Sequence, residues 1–201
     1  MRANAMTMEG PRRPGRPRSE LATAAVLDAA YRLSAGSGLR GTSIQAIAAA
    51  SGVSKMTIYK WWPSRLHLLI DAYLRQATAL LPLSETAPPL EAIRAHVVRY
   101  LAALQGDLGR VQLAVLAECL AEHGNSDLFV ERYLRIRRDL GLSVIRRGQS
   151  DGSIVAHRPA EVLYDQIYGT IFYRCQFGLD GLDRAFVKAL VDAVLRPAPG
   201  A

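Results

Sequence analysis

The sequence predicts an all-α protein of about nine helices. Apolar residues recur at three- and four-residue spacing through most of the chain, glycines and prolines fall mainly between the periodic stretches, and no alternating run of convincing strand length appears. Asp151-Gly152 is a hairpin-type dipeptide, but its flanks read as a loop between helices. With 201 residues, half of them apolar and 21% charged, the chain can bury a substantial core and is too apolar for global disorder.

Residues 1–18, rich in Arg, Pro and Gly, read as a disordered basic arm. A first helix covers about 19–34, with Ser19 as N-cap and Val26, Leu27, Ala30, Tyr31 and Leu33 as its apolar face; Gly36 and Gly38 are expected to end it. Two short helices follow, near 43–50 and 54–60. Pro63 suits the first position of a fourth helix reaching residue 81, with Leu66, Leu69, Ile70 and Tyr73 facing inward. Pro82, Pro88 and Pro89 then break the pattern. The chain thus divides into the arm, a three-helix unit at 19–62, a connecting helix at 63–81 and a larger helical unit at 82–201. That last unit holds five helices, near 90–105, 109–123, 127–149, 159–178 and 183–195. Asp107 and Ser126 are candidate caps, Pro159 suits a helix start, and Gly124, Gly178 and Gly181 mark stops.

Charge is unevenly distributed. Residues 1–66 hold ten basic side chains against three acidic ones, an excess equal to the chain's whole net charge of +7. A localised basic excess is the footprint of a polyanionic partner, above all nucleic acid. Other classes lose support. No uncharged apolar run approaches the roughly 18 residues of a membrane helix, and Met1–Gly10 lacks the apolar region of a secretory signal. Cys119 and Cys175 make neither a disulfide framework nor a zinc site, and with them the chain reads as cytoplasmic. There is no P-loop, no HExxH and no strand-borne GxSxG or GxGxxG (Gly148-Gln149-Ser150-Asp151-Gly152 has the GxSxG letters but follows a helical pattern), and the four histidines are scattered, so no catalytic residue, metal or cofactor is expected.

The informative stretch is 42–65, TSIQAIAAASGVSKMTIYKWWPSR. Thr42 and Gln45 fit a capping box. Ile44, Ile47 and Ala48 form an inward stripe, Gly52 supplies a sharp turn, and Ser54 caps a second short helix with Ile58 inward. Ala48, then Gly52, then Ile58 is the spacing of a helix-turn-helix, with small Ala48 allowing a close crossing. The second helix is expected in the major groove, where Lys55 can donate to guanine and Met56 or the Thr57 methyl can meet a thymine methyl. Tyr59, Lys60, Trp61 and Arg65 lie at its far end, better placed for phosphates. Trp62 falls on the Ile58 face and reads as core.

These residues resemble the DNA-binding domain of the tetracycline-repressor (TetR/AcrR) family of bacterial regulators. The resemblance spans 19–81 and rests on Thr42-Ser43, Ile47-Ala48, Ser51-Gly52-Val53, Thr57-Ile58-Tyr59 and Pro63-Ser64-Arg65. Trp62 departs from the commoner phenylalanine. The resemblance implies phosphate contacts from Thr42, Ser43, Thr57, Tyr59, Trp61 and Arg65, and base contacts from Lys55 and Met56. It also implies a homodimer on a palindromic double-stranded operator, acting as a repressor released by a small-molecule effector. A constitutive DNA-binding protein without effector is the alternative. In the arm, the Gly-Arg-Pro run places Arg16 and Arg18 for minor-groove or flanking-phosphate contact.

The larger unit carries nine of the fourteen aromatics. Polar or aromatic residues on its mostly apolar helices are the candidates for an effector pocket: His96, Tyr100, Gln112, Glu118, Cys119, Tyr133 and Tyr168. The closing segment 167–195 resembles the last helix pair of one branch of the family, which builds the dimer interface there. Phe186, Val187, Leu190, Val191, Val194 and Leu195 form a wide apolar stripe, and the first five are the candidate dimer residues.

Overall fold

The computed structural model describes residues 19–196; the arm, with Arg16 and Arg18, lies outside the described residues. Among them are nine helices and no strand. The helices are α1 (Glu20–Gly41), α2 (Ile44–Ser51), α3 (Lys55–Trp61), α4 (Arg65–Leu80), α5 (Pro89–Leu104), α6 (Asp107–His123), α7, α8 (Ala160–Gln176) and α9 (Arg184–Leu195). The α7 rod is continuous from Asp127–Phe129 through a π-helical turn, Val130–Leu134, into Arg135–Ser150. No described helix is long and apolar enough to cross a membrane.

Local chemistry accounts for most boundaries. Ser43, Ser54 and Ser64 cap α2, α3 and α4 by accepting from the amides of Ala46, Thr57 and His67 at 3.1, 3.2 and 3.4 Å. Asp183 does the same for α9, accepting from Phe186 N at 2.8 Å. The Thr42–Gln45 capping box does not form. Thr42 instead is buried, and its hydroxyl donates to the Gly38 carbonyl at 2.8 Å. Nor do Asp107 and Ser126 cap: Gly106 precedes α6, and Asn125 Oδ1 takes the Asp127 amide at 3.0 Å. The first helix also outruns its expected end, because Gly36 stays helical and the break falls at Gly38, with φ +67°. Pro63 sits one position before the Ser64 cap rather than at the first helical position.

Two apolar cores form. The first gathers α1–α4 around Val26, Ile47, Ile58, Trp62, Leu69 and Tyr73. It also takes Leu108, Val111, Val115 and Cys119 from α6, with Phe129 and Tyr133 from the start of α7. The second joins α5, the rest of α7, α8 and α9 around Ile93, Val97, Ile145, Leu163, Ile167 and Val191. Helix α6 therefore packs on α1 and α4, across the proline-marked boundary. Burying an aliphatic side chain contributes roughly 1.5–3 kcal/mol, so α6 is held to the N-terminal helices by more than its ion pairs.

Candidate functional site

Helices α2 and α3 meet at Gly52, whose φ of +70° closes α2 and would strain any other residue. Ile58 is buried beneath α3, so the opposite face turns outward. That face presents Lys55, Met56, Tyr59 and Lys60, with Met56 81% and Tyr59 56% exposed. Thr57 is half-buried, its hydroxyl 2.9 Å from that of Ser54. Trp61 is half-buried and stands edge-on to buried Trp62, ring centres 5.7 Å apart.

Around this face the expected contacts separate. Ser43 is exposed beside Arg40, Gln45, Lys55 and Tyr59, which share a shallow depression between the end of α1 and α3. Neither Arg40 nor Gln45 is among the contacts expected from the sequence; for Arg40 the signal is a basic residue just ahead of a helix start. Thr42 is fully buried, so its side chain cannot reach a phosphate. Arg65 is turned inward: it donates to the Leu39 and Thr42 carbonyls at 3.0 and 3.3 Å and pairs with Glu118 of α6. Its guanidinium thus ties the end of α1 and the start of α4 to α6. A second tie runs through Asp71 of α4, which accepts from Trp62 Nε1 at 2.8 Å and from Arg132 of α7 at 2.9 and 2.5 Å.

Between the C-terminal end of α4 and helices α5–α8 lies a cavity of about 300 Å³. It brings together His96, Tyr100, Gln112, Tyr133 and Tyr168 of the expected pocket residues. Glu118 and Cys119 stay out of it, the first held by Arg65 and the second buried in the N-terminal core. The wall also includes Leu81, Leu116, Phe129, Arg137, Tyr164 and Phe172, which sequence reasoning did not select. The π turn in α7 carries Tyr133 and Leu134 to the wall, a distortion frequent at functional sites. Gly141 lets the Tyr164 ring lie against α7: a Cβ there would come within 2.4 Å of that ring.

A hydrogen-bond chain fixes the polar end. Arg137 Nη2 donates to the Leu81 carbonyl at 2.5 Å and to His96 Nε2 at 3.1 Å. A guanidinium only donates, so Nε2 accepts and Nδ1 carries the imidazole proton toward the Tyr168 oxygen, 2.9 Å away. Burial, reinforced by Arg137 and Arg99, lowers the His96 pKa to about 3 and keeps the ring neutral. Burial also pushes the Tyr100 and Tyr168 phenols well above their ordinary 10, so both remain O–H donors.

The apolar stripe on α9 is the other correction. Val187 and Val191 are fully buried in the single chain and Val194 is 9% exposed, so these three fill the monomer core and offer no surface to a partner. Phe186 and Leu190 are half-buried, with Arg174 stacked on the Phe186 ring. The exposed apolar residues of this helix pair lie mainly on α8 and at its C-terminal end: Tyr173 is 57% exposed and Phe177, the residue that closes the helix, 70%, and Val162 and Gly169 are exposed as well. On α9, Ala185, Ala189 and Ala193 continue the exposed face.

Comparison with known proteins agrees with this architecture. Residues 26–72 match the family described as bacterial regulatory proteins, tetR family, and residues 85–194 match the tetracyclin repressor-like C-terminal domain. The chain is 32% identical over 182 residues to the uncharacterized HTH-type transcriptional regulator YdeS of Bacillus subtilis, covering 88% of this chain and 89% of YdeS. It superposes on the crystal structure of the TetR family transcription regulator SCO0332 with a TM-score of 0.75 at 27% identity, covering 86% of this chain and 96% of that one. AibR, solved in complex with isovaleryl coenzyme A and operator DNA, shares the fold at a TM-score of 0.57 and 20% identity, covering 88% of this chain and 100% of AibR. The chain belongs to the tetracycline-repressor family and is a DNA-binding transcriptional regulator with a helix-turn-helix reading head.

Proposed function

We propose that the protein is a homodimeric cytoplasmic repressor that reads a palindromic operator with α3 and leaves it when a small molecule fills the cavity. The observation that carries this reading is the outward face of α3, where Lys55, exposed Met56, Tyr59 and Lys60 stand together on a helix held rigid by a serine cap and a buried Ile58. Lys55 and Met56 at the helix start reach base edges in the major groove. Tyr59, Lys60, Trp61, Ser43 and Arg40 meet the flanking phosphates, which position the head without specifying sequence. Thr57 contributes its methyl, since its hydroxyl is engaged with Ser54.

The exposed face of α8 and α9 supplies the dimer contact, setting two heads about 34–36 Å apart for half-sites one helical turn apart. The cavity supports release. Helix α6 lines it with Gln112 and Leu116, and two residues further on Glu118 grips Arg65 at the base of the reading head. A ligand that favours a displaced α6 or α4 changes head spacing, and it lowers operator affinity only by its differential affinity for the two arrangements. AibR shows that this fold accommodates both a ligand and operator DNA. The test is selection of bound duplexes from a random library by the full chain, retested at several salt concentrations. A palindromic site with a steep salt slope supports the reading; tight, unselective binding refutes it in favour of a constitutive DNA-coating protein.

A further inference from the structure

The polar groups that the cavity leaves unmatched are mainly hydrogen-bond donors. Arg137 contributes a guanidinium whose hydrogen-bond partners among the described residues are the Leu81 carbonyl and the His96 ring. Tyr168 receives the His96 Nδ1 proton and so keeps its own hydroxyl proton to give. Tyr100 turns a further phenol to the wall, with no acceptor among the described residues. The single carboxylate on the wall, Asp165, is already matched by Arg138 through two hydrogen bonds at the rim. Arg99 adds positive potential behind His96 and is itself satisfied by the Pro82 carbonyl at 2.8 Å. Gln112 also lines the wall, its Oε1 accepting from the Tyr73 hydroxyl at 2.7 Å so that its amide NH2 is a further donor, and Ser126 adds one hydroxyl; the remaining wall residues are apolar or aromatic, apart from Arg138. Such a lining offers donors and one uncompensated positive charge at one end, and flat aromatic walls over the rest.

We propose that the cavity takes a small carboxylic acid with a flat apolar body, its carboxylate seated on Arg137 and within reach of the Tyr168 hydroxyl. The proposal rests on the reading of the cavity as the effector site and gives that site its ligand chemistry. A carboxylate accepts the fork of a guanidinium in two parallel hydrogen bonds and gains roughly twice what a neutral acceptor gains. Neutral His96 adds no charge of its own, so discrimination falls mainly on Arg137, the guanidinium on the wall without a carboxylate partner among the described residues. The position of Arg137 also gives the ligand a direct route to α4. The same Nη2 holds the carbonyl of Leu81, the residue that closes α4, so a carboxylate competing for that group loosens the far end of the helix that carries the reading head.

The experiment uses isothermal titration of the full chain with 2-naphthoate and with its neutral amide, 2-naphthamide, at pH 7. The acid is expected to bind at least about tenfold more tightly than the amide. Arg137→Gln is expected to remove that preference, acid and amide then binding about equally, and Arg137→Lys to restore part of it. Equal affinity for acid and amide in the wild-type protein overturns the proposal, and needs no variant to fold. So does a preference that survives Arg137→Gln, or failure of both compounds to bind. Operator affinity is read in parallel: an acid preference that depends on Arg137, with operator affinity unchanged, upholds the ligand chemistry and refutes release as its consequence.

Discussion

The Arg65–Glu118 pair is a measurable joint between the reading head and the body of the protein. Its side chains are 30% and 17% exposed, so solvent screens it only in part. A charge-assisted hydrogen bond of this kind contributes about 1.5–3 kcal/mol. Arg65 keeps its two carbonyl partners when Glu118 is neutralised and solvent screens the pair in part, so Glu118→Gln is expected to cost less than the full value, ~1–2 kcal/mol. For a chain of this size that is a fall in Tm of roughly 2–8 °C. The pair energy itself comes from a double-mutant cycle with Arg65→Met, in which the lost carbonyl bonds are common to both arms and cancel. Denaturant unfolding of the four proteins supplies the cycle, and operator titration of the same four shows whether the joint sets head geometry. A coupling energy below about 0.3 kcal/mol, or Glu118→Gln at wild-type stability with altered operator affinity, would refute the argument that this ion pair fastens the head mechanically.

Other expectations follow from the same geometry. Neutral His96 makes stability depend on acid: the unfolded chain takes up a proton below its ordinary value of 6.5 while the folded chain resists to about 3. Stability is therefore complete above pH 6.5 and falls as pH drops, by about 2 kcal/mol at pH 5, and urea unfolding of His96→Gln should show a flatter profile than wild type. Replacing Tyr173 and Phe177 by Glu should yield monomers in sedimentation with the melting of each chain little changed, whereas an intact dimer would place the interface elsewhere. Tyr59→Phe should weaken binding to all duplexes about equally, by roughly 1 kcal/mol, and a sequence-dependent loss would make Tyr59 a base reader. Deleting residues 1–17 should reduce the salt slope of operator binding; an unchanged slope removes Arg16 from the contact.

What was legible in the sequence was local. Ser54, Gly52, Ile58 and the exposed residues between them mark the helix-turn-helix because caps, turns and one-face periodicity act within a few residues of themselves. Even there Ser43 and Thr42 exchanged roles, since both hydroxyl residues fit a cap and only packing decides which is buried. Gly36 and Gly38 pose the same difficulty: either can end a helix, and tertiary contacts of Leu39 selected the later one. The cavity residues His96, Tyr100, Gln112, Tyr133 and Tyr168 were recognisable as polar or aromatic groups on apolar helices. Arg137 was not, because in Arg135-Ile136-Arg137-Arg138 nothing local separates the inward guanidinium from its neighbours; the π turn that sets the register of α7 has no sequence signature. The dimer stripe failed for a different reason. Periodicity shows that α9 has a broad apolar face, but whether that face meets α5 or a second subunit depends on packing that periodicity does not encode.

The central claim, that α3 reads sequence through Lys55, is tested most directly by repeating the random-library selection with Lys55→Ala beside the wild-type protein. The account predicts the same palindromic spacing from both, with preference relaxed at one base pair in each half-site and a loss of roughly 1–3 kcal/mol on the wild-type site. Identical selected sites from the two proteins, with affinity reduced uniformly, would contradict it and make Lys55 a phosphate contact.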